Sequence, residues 1–350
     1  MGPEETESEP KSRYDLASHG PKCAEWMDSC INRLYNLKTP QTTINSLFPP
    51  EEIISILRLT ESILMKENSL LEVESPIKII GDLHADFENL KNIFDLIGRV
   101  PKDKMVFLGN YVDMGPSGIE LVVLLFCLKI RYKDRIFLLK GNHETPAVNK
   151  LYGFYSECQL KYNSALWWDF QCCFNRLPLA CLISKKVLCV HGGLSPELTS
   201  LDKIRSIQRP SEPISSGLEI DLLWADPTNR GDGWFLSYRG ISYLFGKKIV
   251  ETACKTLKLS LIIRSHMVVP DGYEVMCGRL LITVFSVPNY VGTANTAAVL
   301  SLNEKLEVSY QTSTAAPKLS MQLYIPTIPF TADLNPSKAY ENKCIVERFK

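Results

Sequence analysis

Five short apolar runs in this chain are each followed by side chains that can bind a metal ion. The runs and the residues that follow them are 77–80 before Asp82 and His84, 105–108 before Asn110 and Asp113, 136–139 before Asn142 and His143, 187–190 before His191, and 261–263 before His266. Apolar runs of this length are typical of buried strands. Because ligands of α/β sheets bind beyond the carboxyl ends of the strands, we expect these side chains to meet in one pocket.

Four of the chain's five histidines belong to these strand ends, and only His19 lies elsewhere. A single histidine after a strand is more often a core or loop residue than a ligand. Four of them, together with aspartate and asparagine side chains, favour a metal site. Mixed oxygen and imidazole ligands suit manganese, iron or zinc rather than calcium. Two such ions roughly 3.5–4 Å apart can activate a water for attack on phosphorus, although aminopeptidases also use paired metals.

The order of the apolar segments predicts an α/β fold with some α+β character. Early runs alternate with stretches of helical spacing, such as the one that starts at Pro49 and Pro50. The last three runs, 281–285, 298–302 and 306–310, are closely spaced and indicate antiparallel hairpins. We therefore expect a mixed sheet, or two sheets face to face, flanked by helices. Composition predicts a disordered acidic tail (1–25), a single domain (26–312) and a C-terminal tail (313–350).

Charge and cysteine content argue against several classes of protein. Lys+Arg and Asp+Glu both number 39, so composition gives no support for binding to nucleic acid or to a membrane. The longest apolar run, 121–128, is too short to span a bilayer. Eleven cysteines without a C-x-x-C pair argue against a disulfide framework and against a structural zinc site. We expect a protein of the cytoplasm, the nucleus or both.

Six short strings resemble the signature of one enzyme family. The strings are G-D-L-H (81–84), G-N-Y-V-D-M-G (109–115), K-G-N-H-E (140–144), H-G-G-L-S-P (191–196), R-S-H (264–266) and S-V-P-N-Y (286–290). They are similar to those of the serine/threonine phosphoprotein phosphatases, within the calcineurin-like metallophosphoesterases, and most of all to the type 1 catalytic subunits. The similarity runs from about Trp26 to Tyr310. It implies a metallophosphoesterase-type mixed β-sandwich in a single catalytic domain.

The resemblance also implies an activity and its metals. The activity is hydrolysis of phosphoserine and phosphothreonine in proteins by a water that two divalent ions activate. Manganese is expected, with iron or zinc as alternatives. The implied metal ligands are Asp82 and His84 for the first ion, Asn142, His191 and His266 for the second, and Asn110 as the bridge between them.

Further roles follow from the same resemblance. His143 is expected to protonate the leaving serine or threonine oxygen, with Asp113 orienting its imidazole. Arg239 is expected to bind the phosphate with its planar guanidinium. The other residues that the resemblance places at the substrate are Tyr290, Trp224, Asp226 and Tyr152.

Three positions inside these strings depart from the family pattern. Asn110 stands where the family has a bridging aspartate, Met114 where it has a phosphate-binding arginine, and Ala85 where it has a glycine. A neutral amide offers one oxygen and is a poor bridge between two cations. Met114 can neither donate a hydrogen bond nor carry charge. Two functions therefore stay open: a phosphatase of low activity, or an inactive pseudophosphatase that binds a partner or a phosphoprotein.

The resemblance implies, finally, a groove that docks short peptides of regulatory subunits on the face away from the metals. The residues at the matching positions are all apolar, and they are Val187, Leu261, Val275, Leu306, Val308 and Tyr310. A partner strand with alternating apolar anchors could add to such an edge. The alternative is that these are ordinary core residues of the sandwich, which we expect for half of them.

Overall fold

The computed structural model describes residues 20–39, 42–213 and 215–313. Most of the two predicted tails, 1–25 and 313–350, lies outside the described residues. The first helix begins at Pro21, ahead of the predicted domain start at residue 26, and it buries Cys23. The last strand ends at Ser313, just past the predicted domain end at residue 312.

The strands of the described residues form three sheets. In chain order they are β1 (Leu70–Val73), β2 (Ile77–Ile80), β3 (Met105–Phe107), β4 (Ile136–Leu138), β5 (Ala180–Ile183), β6 (Val187–Val190), β7 (Asp226–Pro227), β8 (Trp234–Leu236), β9 (Tyr243–Phe245), β10 (Leu261–Arg264), β11 (Tyr273–Met276), β12 (Leu281–Val284), β13 (Ala297–Leu302) and β14 (Val308–Ser313). The six-stranded sheet has the order β1-β5-β6-β10-β12-β11, the five-stranded sheet β14-β13-β2-β3-β4, and the small sheet β7-β9-β8. Both large sheets mix parallel and antiparallel pairs, which confirms the predicted mixed architecture.

Helices cover the outer faces of the two large sheets. In chain order they are α1 (Pro21–Tyr35), α2 (Pro50–Leu64), α3 (Phe87–Ile97), α4 (Gly118–Arg131), α5 (Pro146–Asn149), α6 (Phe154–Lys161), α7 (Ser164–Phe174), α8 (Leu201–Arg205), α9 (Leu218–Trp224) and α10 (Lys247–Leu257). The helix predicted after Pro49 is α2, with proline and two glutamates in its first turn. Helix α4 is buried along nearly all its length and packs against α1, α2, α3 and α6. No described helix has the length and apolar character that a bilayer span requires.

Both faces of the central strands are buried, which explains why the strands read as continuous apolar runs. Ile79 of β2 and Ile263 of β10 belong to the core between the two large sheets. Their neighbours Ile80 and Ile262 point the other way, and each joins the core beneath a helical layer. Successive side chains of a strand alternate between faces, so a strand covered on both sides has no polar face.

The predicted antiparallel hairpins are correct for only one pair. β13 and β14 form a hairpin in which Leu300 lies opposite Tyr310. β12 belongs instead to the other large sheet, where it runs parallel to β10 and antiparallel to β11. Sequence spacing alone could not separate these arrangements, because the chain crosses from one sheet to the other between β12 and β13.

A fully buried lysine anchors the end of the central helix. Lys129 of α4 donates from Nζ to the carbonyl oxygens of Ile136 at 2.8 Å and Lys133 at 3.1 Å, and it also pairs with the Glu67 carboxylate. All three protons of the ammonium group therefore have acceptors. The contacts fix α4 against the turn that precedes β4.

Replacing Lys129 by alanine is expected to lower the free energy of unfolding by about 3–5 kcal/mol, because the Glu67 carboxylate loses its buried partner. Chemical denaturation monitored by circular dichroism would measure the change. Lys133→Ala is the matched control, since the Lys133 side chain is exposed; it should shift stability by no more than about 0.5 kcal/mol. Equal stability of the two variants would contradict the anchoring role.

Candidate active site

The candidate site lies where the carboxyl ends of strands from both large sheets meet. β2, β3 and β4 are parallel in one sheet, and β6 and β10 are parallel in the other. Hydrogen bonds join the sheets at this edge. His191 Nδ1 donates to the Leu108 carbonyl oxygen at 2.8 Å, and Ser265 Oγ accepts from the Asp82 backbone N–H at 2.9 Å. The structure thus brings the five strand ends together.

The backbone at these strand ends adopts left-handed conformations at several residues other than glycine. They are His84 (φ 41°), Ala85 (φ 56°), Asn110 (φ 55°), Asp113 (φ 69°), Met114 (φ 67°) and His266 (φ 64°). Each such residue costs about 1–3 kcal/mol and persists only where the surrounding structure over-determines it. Their concentration here indicates a functional site rather than ordinary loops.

The two residues predicted for the first ion, Asp82 and His84, and the predicted bridge Asn110 meet at one carboxylate oxygen. His84 Nδ1 donates to the Val112 carbonyl oxygen at 3.3 Å, which places Nε2 3.2 Å from Asp82 Oδ2. Asn110 Nδ2 donates to the same Asp82 oxygen at 2.9 Å. Asp82 and Asn110 are fully buried, and His84 is nearly so.

The three residues predicted for the second ion form a separate group beside the first. His191 Nε2 lies 2.9 Å from Asn142 Oδ1. The ring centroids of His191 and His266 are 5.0 Å apart. His266 Nε2 is buried, and within the described ranges it has no hydrogen-bond partner.

Burial sets the charge state of this group. It lowers the pKa of His191 to about 4, although the Asp82 carboxylate acts in the opposite direction. Burial, and then the Arg239 charge, hold the pKa of His266 well below its ordinary value. For Asp82 burial acts to raise the pKa, but His191 and His84 lower it overall. At neutral pH His191 and His266 are therefore neutral and the Asp82 carboxylate is ionised, the states that metal binding requires.

The six predicted ligands suit a divalent ion, but together they carry little negative charge. Within the described ranges, no three side chains of the types His, Cys, Asp and Glu are grouped as a metal site. Two of the six predicted ligands are asparagines, so Asp82 brings the one carboxylate of the set. The buried Nε2 of His266, which has no partner among the described residues, lies next to His191 and Asn142 and fits a cation that accepts nitrogen and oxygen donors.

The predicted acid and its orienting carboxylate are in direct contact. His143 Nδ1 donates to Asp113 Oδ2 at 2.6 Å, and Asp113 Oδ1 accepts from the Phe154 backbone N–H at 2.9 Å. The His143 ring packs edge-on against His84, with centroids 4.7 Å apart. Burial lowers the pKa of His143, and the Asp113 hydrogen bond opposes that shift. A fixed imidazole at the rim of the metal-ligand cluster can transfer a proton there.

Arg239 is held by a carboxylate that was predicted to contact substrate. Arg239 Nε donates to Asp226 Oδ2 at 2.6 Å, and Arg264 Nη2 donates to Asp226 Oδ1 at 2.7 Å. Asp226 is fully buried, and both of its oxygens are engaged by arginines. The prediction of substrate contact is therefore wrong for Asp226, which instead orients Arg239.

The other residues predicted at the substrate surround the ligand cluster. The ring of Tyr290 lies 4.7 Å from that of His84, Trp224 lies 5.6 Å from His266, and Tyr152 lies 5.6 Å from His143. Met114 is next to them, and its backbone N–H donates to the Tyr152 carbonyl oxygen at 3.3 Å. Its side chain is 40% exposed, so an apolar group stands where the family has an arginine.

Sequence reasoning missed the residue that fixes the loops of the site. Glu144 is fully buried, and its carboxylate accepts from the backbone N–H groups of Asn110 at 2.7 Å, Tyr111 at 2.8 Å and Gly141 at 2.9 Å. Burial raises its pKa to about 7. A Cβ at Gly141 would lie 2.3 Å from Asn110 Oδ1, so only glycine fits there. The available signal was an acidic residue at the end of K-G-N-H-E, directly after a strand.

The predicted docking residues divide into two groups. Val187 and Leu261 are buried partners in register on β6 and β10, inside the sandwich core, and Leu306 packs against that core. Val275, Val308 and Tyr310 are exposed on β11 and β14, the edge strands of the two large sheets. The Tyr310 ring stacks on Tyr273 with centroids 4.0 Å apart, so these two edges lie side by side.

Comparisons with known proteins agree with this geometry. The family model described as calcineurin-like phosphoesterase matches residues 75–270. A Caenorhabditis elegans protein, provisionally named serine/threonine-protein phosphatase C06A1.3, is 62% identical over 86% of this chain and 83% of its own. The serine/threonine-protein phosphatase PP1-delta of the same organism is 41% identical over 83% of this chain and 96% of its own. A solved serine/threonine phosphatase from Saccharomyces cerevisiae, described as similar to human PP5, superposes with a TM-score of 0.74 at 32% identity over 78% of this chain and 92% of its own.

Replacing Glu144 by glutamine is expected to lower the free energy of unfolding by about 1–3 kcal/mol, because one buried backbone N–H then faces an amide that cannot accept. Thermal and urea unfolding would measure the loss. Glu304→Gln is the matched control on an exposed side chain and should leave stability unchanged. If the Glu144→Gln variant is as stable as the parent, the carboxylate does not fix the loops.

Proposed function

The chain belongs to the calcineurin-like phosphoesterases and, among them, to the serine/threonine phosphoprotein phosphatases, and we propose that it hydrolyses phosphoserine and phosphothreonine esters in proteins. The observation that carries the proposal is the contact of 2.6 Å between His143 Nδ1 and Asp113 Oδ2 at the edge of the metal-ligand cluster. A fixed imidazole at that place can protonate the serine or threonine oxygen as it leaves the phosphorus.

The proposed cofactors are divalent metal ions, with manganese ahead of iron or zinc. Such an ion lowers the pKa of a bound water and draws charge from the phosphoryl oxygens. Asp82, His84, Asn142, His191 and His266 are the residues that would hold it. The mix of carboxylate, amide and imidazole donors supports a borderline metal.

Proton transfer is the proposed task of His143. Asp113 holds the Nδ1–H of the ring, so Nε2 is the nitrogen that would exchange a proton with the leaving oxygen. The Phe154 backbone N–H keeps the Asp113 carboxylate in place. The proton leaves on the serine or threonine hydroxyl of the product, and the ring is reprotonated from solvent.

Phosphate binding is the proposed task of Arg239. The salt bridges of Asp226 to Arg239 and Arg264 fix the guanidinium, and its fork geometry matches phosphate oxygens. Tyr290, Trp224 and Tyr152 would line the mouth and contact the peptide around the phosphorylated residue. Met114 has no hydrogen-bond donor in its side chain, so the phosphate has one binding group fewer than the family pattern provides.

A second candidate function is binding without turnover, as a pseudophosphatase. The Asn110 contact with Asp82 favours it, because an amide N–H occupies the direction in which the family presents a bridging carboxylate. The exposed Met114 favours it too, because the developing phosphoryl charge loses a donor. Such a protein would keep the substrate mouth and hold a phosphoprotein or a partner there.

Regulatory subunits are proposed to dock at the exposed edges of β11 and β14. Val275, Val308 and Tyr310 are exposed apolar side chains on these strands, and a partner strand could add to either edge. The cytoplasm or the nucleus is the proposed location. The cysteines of the described ranges are all unpaired thiols, which supports a reducing compartment.

Restoring the family residues at positions 110 and 114 is expected to raise phosphatase activity. Asn110→Asp together with Met114→Arg should increase kcat/KM for a phosphopeptide in Mn²⁺ by about 10²–10³, since removal of one comparable donor costs that factor. In the parent, His143→Ala should lower turnover by about 10²–10⁴. A phosphate-release assay measures both changes. Asn92→Asp with Met65→Arg, on exposed side chains of α3 and at the end of α2, is the matched control.

The parent and the His143→Ala variant distinguish the two functions. Turnover by the parent above that of His143→Ala would rule out pure binding. A folded, metal-loaded parent that turns over no faster than His143→Ala would support the binding function. If the restored variant is inactive as well, the assignment of His143 and Arg239 to catalysis fails.

A further inference from the structure

The orientation of the Asn110 amide is fixed by its neighbours. Its Oδ1 accepts from the His143 backbone N–H at 3.0 Å, and its Nδ2 donates to Asp82 Oδ2 at 2.9 Å. A backbone N–H can only donate, so the oxygen must face His143 and the nitrogen must face Asp82. The residue is 1% exposed, and its backbone N–H is held by Glu144. An amide nitrogen offers no lone pair to a cation, so Asn110 gives the centre no ligand atom in this orientation.

In the half of the centre formed by Asp82 and His84, hydrogen bonds from the protein already occupy the carboxylate oxygens. Asp82 Oδ2 accepts from Asn110, while Asp82 Oδ1 is 2.5 Å from Ser265 Oγ and accepts from the His266 backbone N–H at 3.1 Å. Both carboxylate oxygens therefore have donors from the chain itself. A cation entering this half would have to displace the Asn110 amide and would find two ligands, Asp82 and His84.

In the part of the chain that the structure describes, the half of the centre formed by Asn142, His191 and His266 lacks such donors. Because His191 Nδ1 donates to the Leu108 carbonyl oxygen, the lone pair of Nε2 points to Asn142 Oδ1 at 2.9 Å. In this orientation two lone pairs face each other, an arrangement that a cation bound to both atoms stabilises. The lone pair of His84 Nε2 likewise lies 3.2 Å from Asp82 Oδ2, but there Asn110 Nδ2 already donates to that oxygen. His266 Nε2 is buried beside His191 and has no hydrogen-bond partner among the residues that the structure describes. His191 Nε2 and Asn142 Oδ1 thus face each other without a proton to share, and the His266 ring lies next to them.

The charge of the centre agrees with a single ion. Two divalent ions roughly 3.5–4 Å apart would place four positive charges close together. Asp82 is the one carboxylate among the six predicted ligands. One ion leaves far less uncompensated charge in a buried site than two.

From these contacts we infer that the centre of this chain binds one divalent ion, held by Asn142, His191 and His266, and that Asn110 closes the Asp82 and His84 half as a hydrogen-bond donor. This inference concerns the metals of the proposed phosphatase and rests on that function for its meaning. It departs from the two-ion centre that the family resemblance implies. The substitution at position 110 then changes the number of ions, and not only the affinity for them.

Metal stoichiometry tests the inference without any assay of turnover. The full chain is stripped with chelator, reloaded with Mn²⁺ alone, desalted and measured by mass spectrometry for metal per chain. The parent is expected to hold one Mn²⁺ and the Asn110→Asp variant two. Electron paramagnetic resonance should show an isolated Mn²⁺ in the parent and an exchange-coupled pair in the variant.

Two ligand variants identify the occupied half. His266→Gln should lose the ion, whereas His84→Gln should keep it, with folding of each confirmed by circular dichroism. Two ions in the parent, no ion in the folded parent, or an ion lost with His84→Gln and kept with His266→Gln would each overturn the inference. Because Asn110→Asp adds a site rather than removing one, its second ion can be sought even if a histidine variant fails to fold.

Turnover measured on the same samples separates this inference from the proposed function. One ion per chain without any hydrolysis supports the inference and counts against the phosphatase. Two ions per chain with hydrolysis supports the phosphatase and overturns the inference. Neither failure can be mistaken for the other.

Discussion

The hydrogen bonds that hold the two large sheets together at their carboxyl ends determine the geometry of this site. His191 of one sheet donates to Leu108 of the other, and the Ser265 hydroxyl accepts from Asp82 across the same junction. All of these groups are buried, and a buried polar group left without its partner costs about 1–3 kcal/mol. A slide of one sheet over the other would break several such contacts at once. The site therefore takes its shape from the sandwich rather than from any one loop.

The strands that carry the site could be predicted because they are covered on both faces and end in chemically distinctive residues. β5 was missed although A-C-L-I is equally apolar, since a run of four such residues does not by itself distinguish a strand from a buried helix segment. β7, β8 and β9 are two or three residues long, too short for any periodic pattern. The crossing between β12 and β13 depends on packing of distant segments.

The ligand positions could be predicted because they come directly after the strands, but the contacts among the ligands could not. Ser265 and Asp82 are 183 residues apart in sequence, so no local pattern shows that they touch. Asp226 looked like a substrate contact in sequence and is a buried support for Arg239 in the structure. Which atom of Asn110 faces Asp82 depends on the His143 backbone N–H, a property of the folded chain alone. Because an amide and a carboxylate have nearly the same shape, position 110 can change the chemistry of the centre and keep its packing.

The left-handed turns at the strand ends limit where such a site can exist. Six residues at about 1–3 kcal/mol each amount to a cost of the same order as the whole net stability of an ordinary domain, about 5–15 kcal/mol. A sandwich with three large buried cores buries enough apolar surface to offset this conformational cost. The same six residues grafted onto a short peptide or a miniature scaffold would relax to ordinary conformations, and the donor atoms would drift apart. The arrangement is therefore not portable, and a minimal mimic of this centre would have to carry most of the sandwich with it.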